Sequence, residues 1–137
     1  MEAGTSPRVI SSRRRITYKP SAWGVHQFEI WSGELVCRAV SLRLDGALLL
    51  WLGGGGAARL DEIALGMPPT QEADSERSAL ATTLLGSDGT ATAMARRLSK
   101  SLARPVYVCS GVVFDRFTMP LVERGLIAEI KSRPECF

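Results

Sequence analysis

Leu48-Leu49-Leu50-Trp51-Leu52 is an unbroken apolar run set between the turn pair Asp45-Gly46 and the run Gly53-Gly54-Gly55-Gly56. It reads as a strand spanning residues 47–52. Alternate side chains of a strand point to opposite sides of the sheet, so an apolar residue at every position demands cover on both sides. That demand constrains the whole chain, because every other element must help to supply the cover or leave one side to a partner.

The remaining elements follow from periodicity. His26, Phe28 and Ile30 alternate with Gln27 and Glu29, which predicts a strand over residues 25–32. A longer strand over 35–44 and the strand 47–52 are joined at Asp45-Gly46, a strong hairpin signal. Residues 60–67 are read as a fourth strand, with a short helix as the alternative, and residues 78–85 as a fifth. Ala91, Met94, Ala95, Leu98 and Leu102 then recur at three- and four-residue steps, the stripe of an amphipathic helix. Ser87 or Asp88 can cap its start, Arg96, Arg97, Lys100 and Arg104 complement its dipole, and Pro105 stops it. Residues 106–111 form a sixth strand. Thr118 and Pro120 open a second helix, with Val122, Leu126, Ile127 and Ile130 on its apolar face and Pro134 beyond its end.

Five strands followed by helix, strand and helix indicate an α+β domain. The expected architecture is a six-stranded antiparallel sheet with two C-terminal helices packed on one face. Two helices cover only one side of such a sheet. The other side is then available for dimerisation or for a second sheet, with Trp31, Leu49 and Trp51 as candidate partner-binding residues, since aromatic residues are enriched in interface cores. The competing reading buries the third strand within the monomer, under the N-terminal segment.

A chain of 137 residues suffices for one domain with its own core. The net charge of +3 is unevenly placed. Residues 1–20 carry five cations against one acid, and the remainder twelve against thirteen, so the body is near neutral. Residues 1–22 are read as a flexible basic tail and 23–137 as the single folded domain. A basic tail is a poor argument for nucleic-acid binding, and none is expected. Cys37, Cys109 and Cys136 form no CxxC pair, and an odd count argues against a disulfide framework. No apolar run approaches transmembrane length and the N-terminus lacks a secretory signal, so no membrane association is expected. The expected compartment is the cytoplasm, with the nucleus as a second location. Residues 5–19, rich in Ser and Arg and free of acids, also fit an organellar transit peptide.

Motifs that suggest chemistry lack the residues the chemistry needs. The glycine run at 53–56 is followed by no lysine, so it is not a Walker loop. Gly86-Ser87-Asp88-Gly89-Thr90 joins a strand to a helix, where backbone N–H groups can hold an anion, but Asp88 repels phosphate. His26 is the only histidine, which precludes a His-based metal cluster and suits a hydrogen-bonded structural role. Cys109-Ser110-Gly111 lies at a strand end, yet Ser110 has no nucleophile elbow around it and Cys109 reads as a small buried hydrophobe. Catalytic, cofactor and metal sites are therefore all read as none.

The chain resembles the proteasome assembly chaperone 4 family. The resemblance lies in residues 48–53 (LLLWLG), 81–86 (ATTLLG), Met94-Ala95-Arg96-Arg97-Leu98 through Pro105-Val106-Tyr107-Val108, Leu121-Val122-Glu123 and the final Pro134-Glu135-Cys136-Phe137, in collinear order over residues 25–137. It implies a non-catalytic chaperone that promotes assembly of the 20S proteasome alpha ring. It also implies a heterodimer with a proteasome assembly chaperone 3-like subunit, contact with alpha-type subunits, and self-pairing as an alternative in isolation. The glycine run, the acidic loop with Glu72, Asp74 and Glu76, and the basic extension are longer than the family pattern, and Cys109-Ser110-Gly111 replaces bulkier side chains. A small dimeric scaffold of another complex is the alternative function. A small hydrolase or nucleotide-binding enzyme built on residues 86–90 is a further one.

Overall fold

A computed structural model of the chain describes Pro7 and residues 16–69, 79–87 and 89–137. Most of the N-terminal tail, the acidic loop around residues 72–76 and Asp88 lie outside the described residues. The elements in chain order are β1 (Gly24–Ser32), β2 (Leu35–Leu44), β3 (Ala47–Gly53), β4 (Glu62–Met67), β5 (Leu80–Leu85), α1 (Thr90–Leu102), β6 (Val106–Ser110) and α2 (Thr118–Ser132). A short 3-10 turn, Pro134–Cys136, follows. Residues 60–67 thus hold a strand and not a helix.

β1, β2 and β3 form an antiparallel meander, with Phe28 opposite Ala39 and Ala39 opposite Leu52. Gly46 supplies the positive φ of 77° at the β2–β3 turn, a region open to glycine without a Cβ penalty. β4 and β5 form a second antiparallel pair, with a register shift at Ile63/Ala64. β6 enters between the two groups, giving the order β1-β2-β3-β6-β4-β5. It pairs parallel to β3 and antiparallel to β4.

The sheet is therefore mixed, which corrects the expectation of an antiparallel one. The reason is topological. α1 carries the chain from β5 back along the sheet, so β6 sets out in the same direction as β5, and a helical crossover of this kind is what parallel strands require. β3 and β4 run in opposite directions, so a strand inserted between them must lie parallel to one of the two.

Both helices lie on the same side. On α1, Ala91, Met94, Ala95 and Leu98 are buried against β4, β5 and β6. On α2, Met119, Val122 and Leu126 are buried, and the helix lies against β1. Leu48, Leu50, Leu52, Val106 and Val108 supply the fully buried sheet side of this core. Gly66 sits under α1, where any Cβ would run into the backbone carbonyl of Ala95. Ile127, expected on the core face, is instead 44% exposed.

Polar groups pin the layer down. His26 Nε2 and Glu129 Oε1 are 2.9 Å apart, and the imidazole stacks on Phe28 with ring centres 5.2 Å apart. Ser41 Oγ donates to the Cys136 carbonyl at 3.1 Å and Arg43 Nη1 to the Glu135 carbonyl at 2.6 Å, which holds the 3-10 turn against β2. Phe137 is buried beside Phe28 and His26.

Candidate functional site

The side of the sheet away from the helices is covered by no helix or further strand among the described residues, and it is apolar across most of its width. Strand register builds it in rows. One row runs Val25, Leu42, Leu49, Tyr107, Leu65 and Thr82 from β1 to β5. The next runs Gln27, Val40, Trp51, Cys109, Ile63 and Leu85. Leu42, Leu49, Tyr107, Leu65, Val40, Trp51 and Ile63 are all half-buried. At the β5 edge Leu80 is 74% exposed and Met67 45%. Polar side chains gather at the opposite border, where Gln27 and Glu29 of β1 stand beside Arg38 of β2.

The two-sided reading of β3 holds in this chain: Leu48, Leu50 and Leu52 are fully buried under the helices, while Leu49 and Trp51 point the other way. Trp51 anchors one end of the open face. Its indole N–H donates to the Arg59 carbonyl at 2.9 Å, and the Arg38 guanidinium lies 5.9 Å from the ring centre, within cation–π range. The ring also packs on Gly53, where a Cβ would collide with it. Arg38 in turn donates to the carbonyls of Gly54 at 2.8 Å and Gly56 at 2.7 Å. The glycine run is thus held by hydrogen bonds, although four glycines impose no path of their own.

Of the three residues singled out from the sequence, the structure brings Leu49 and Trp51 together at successive outward positions of β3. Trp31 shares their side but stands apart, at the far corner of β1 opposite Val36. It is 68% exposed, and its indole N–H donates to Glu29 Oε2 at 2.9 Å. Tyr107, Leu65, Ile63, Leu42 and Val40 were not singled out, and they make up most of the patch. Alternation in β2 and β4 carried some of that information. The position of Tyr107 depended on β6 being central.

The chemical alternatives fare poorly in three dimensions. Cys109 lies on the open face and is buried in the middle of the sheet, and that burial pushes its thiol pKa up. A thiol kept protonated is a poor nucleophile. His26 belongs to the helix-covered side and is engaged with Glu129, so the sheet itself separates it from Cys109. Ser110 Oγ is committed to the Val112 carbonyl at 2.8 Å. Cys37, on the covered side, has its thiol pKa pushed up to about 11, chiefly by burial.

The turn into α1 also differs from expectation. The N-cap is Gly89, with no side-chain capping bond, so Ser87 does not cap the helix. A carboxylate oxygen of Glu62, from β4, lies 3.5 Å from where a Cβ of residue 89 would stand. An acid there complements the positive end of the helix dipole and disfavours a phosphate. On α2 the capping group is Asp115, whose Oδ1 accepts from the N–H of Phe117 at 2.8 Å and of Thr118 at 2.7 Å.

Comparison with known proteins agrees with this architecture. The chain superposes on a chain of the crystal structure of a novel chaperone complex for yeast 20S proteasome assembly, with a TM-score of 0.53. The two are 15% identical, and the superposition covers 84% of this chain and 94% of that one. At that identity the likeness is one of fold. Among curated proteins none matches. The family model for proteasome assembly chaperone 4 matches residues 37–112, from near the start of β2 to just beyond β6. That span is more than half of the chain and holds Leu49, Trp51 and the central strands of the open face, which shows that the chain belongs to the proteasome assembly chaperone 4 family.

Proposed function

We propose that this chain is a non-catalytic chaperone of 20S proteasome alpha-ring assembly that works as a heterodimer with a proteasome assembly chaperone 3-like subunit. The observation that carries the reading is the open apolar side of the sheet around Leu49, Trp51, Tyr107 and Leu65. A continuous apolar surface of this kind marks an interaction site on a folded protein. Family membership and the fold shared with a chain of a yeast proteasome-assembly chaperone complex support the same reading.

A stable pair buries about 1,600 Å² in total, and six strands offer a side broad enough for it. Two sheets packed face to face stand about 10 Å apart with interdigitating side chains, and the rows built on Leu49 and Trp51 suit such an arrangement. The chaperone then acts by binding one arrangement of alpha-type subunits better than the alternatives, which is specificity by difference of affinity.

The test is co-purification of the full chain with a chaperone 3-like subunit and with alpha-type proteasome subunits, for the unaltered chain and for Trp51→Asp. Capture of both by the unaltered chain, and loss of the chaperone partner by Trp51→Asp, is the expected result. Recovery of components of an unrelated complex in their place would move the chain to the scaffold reading.

A further inference from the structure

The helical side of the molecule presents a second surface, of a different chemical character. α1 and α2 run side by side in the same direction. Arg97 Nε donates to Glu123 Oε1 at 2.6 Å where the two helices approach. Towards their C-terminal ends they leave a groove lined by Leu98, Ser101, Leu102, Ile127, Ile130 and Lys131. Its floor is apolar, and Ile127 is held out of the core to line it.

Lys131 is the charged residue lining this groove, and the two helices that form it carry an excess of cations. The two helices carry Arg96, Arg97, Lys100, Arg124 and Lys131 against only Glu123 and Glu129. Both acids are already engaged: Glu123 with Arg97, and Glu129 with His26 and with Arg133 at 3.6 Å. Arg96, Lys100, Arg124 and Lys131 are exposed and have no carboxylate partner among the described residues. Arg104 and Arg43 add two more cations beyond the end of α1, close enough that Arg43, after burial, depresses the Arg104 pKa. Residues 23–89 carry nine acids against four cations, so the cationic character belongs to the helical layer and not to the body as a whole.

We infer that the groove between α1 and α2 is a docking site for an amphipathic helix with acidic flanks, supplied by a partner protein. An apolar stripe at i, i+3, i+4 and i+7 enters between Leu98 and Ile127 as a third helix laid along two others, the helix-in-groove mode of recognition. Carboxylates beside that stripe meet Lys131, which lines the groove, and Arg124, one helical turn before Ile127 on α2. Such pairs set orientation and speed encounter more than they add affinity. The site lies on the opposite side of the molecule from the open sheet, so both are usable at once, and it stands whether or not the sheet pairs with a second chaperone.

The probe is a fluorescein-labelled helical peptide with leucines at i, i+3, i+4 and i+7 and glutamates on the flanks, read by polarisation against the full chain. Its control has lysines in place of the glutamates. The expected result is binding of the glutamate peptide alone, weakening as ionic strength rises. Arg124→Glu/Lys131→Glu and Ile127→Asp should each weaken it by about tenfold or more, whereas Trp51→Asp should leave it unchanged. Arg124→Gln/Lys131→Gln serves as a milder pair should the charge reversal disturb the helix. Failure of the glutamate peptide to bind, equal binding of both peptides, indifference to the helix variants, or loss of binding in Trp51→Asp each overturns the inference. Pairing with a chaperone 3-like subunit, measured separately on the same variants, keeps this outcome distinct from failure of the proposed function.

Discussion

Leu49→Asp is the sharpest perturbation of the open face, because the Leu49 side chain points away from the helix-covered core. Its register partners are Leu42 on β2 and Tyr107 on β6, so it sits at the centre of the apolar rows. Withdrawal of a leucine from a dry interface forfeits about 1.5–3 kcal/mol. An ionised carboxylate left there without a partner costs roughly 3 kcal/mol more. The sum, about 5 kcal/mol, corresponds to a Kd raised by roughly three to four orders of magnitude. In the free monomer the same side chain is only half-buried, and the change should cost about 1 kcal/mol, the span of strand preference. Titration calorimetry with a chaperone 3-like subunit reads the first number, and urea unfolding of the isolated chain reads the second. Pairing within about threefold of the unaltered chain, well under 1 kcal/mol, would refute the assignment of this face. Unfolding of the monomer to match the lost pairing would refute the claim that Leu49 serves partners more than the core.

Three further predictions concern the frame that holds this face. Gly66→Val forces a side chain into the Ala95 carbonyl and against Ser99 Oγ, and should destabilise the chain by about 3 kcal/mol, seen as a lower midpoint in urea. Ala103 closes α1 at φ 54°, in the left-handed region, so Ala103→Gly should stabilise by about 0.5–1 kcal/mol, read as a higher Tm. Hydrogen bonds from Thr118 and Phe117 hold the Asp115 carboxyl pKa below its ordinary 3.8. Its capping contribution is therefore present above that value and is lost as the pH falls through the lowered one. Asp115→Ala should melt earlier than the unaltered chain at pH 7, and the gap should close as the pH falls below the lowered carboxyl pKa, a shift that thermal melts across pH will reveal.

Elements whose side chains alternate or recur at helical steps were legible in the chain, because local periodicity reports burial directly. β2 and the two-sided β3 are examples, as is the buried stripe of α1. Contacts between distant segments were not. The antiparallel expectation failed at β6, because nothing within Val106–Ser110 says which two strands will flank it. Tyr107 was overlooked for that reason, since its importance comes entirely from the neighbours Leu49 and Leu65. The loop before α1 offers Ser87 or Asp88 as a cap, whereas an acid beside its first turn, Glu62, arrives from another strand. Arg38 restrains the glycine run from sixteen residues away. Ile127 fits the helical period of α2 yet lies beside a groove, because periodicity identifies a side of a helix without saying whether another element reaches it.

Because β6 is wedged between β3 and β4, the sheet has a seam that its earlier residues cannot close. During synthesis the β1–β2–β3 meander and the β4–β5 pair emerge first, each with a raw inner border of unsatisfied amides and carbonyls. Only when Val106–Ser110 leaves the ribosome does one ribbon join the two halves. Distant pairings of this kind are slow to form, and unpaired borders invite the wrong neighbours. A nascent chain stalled ahead of Val106 should therefore aggregate more readily than one stalled just after Ser110. The keystone strand makes timing part of this fold's vulnerability.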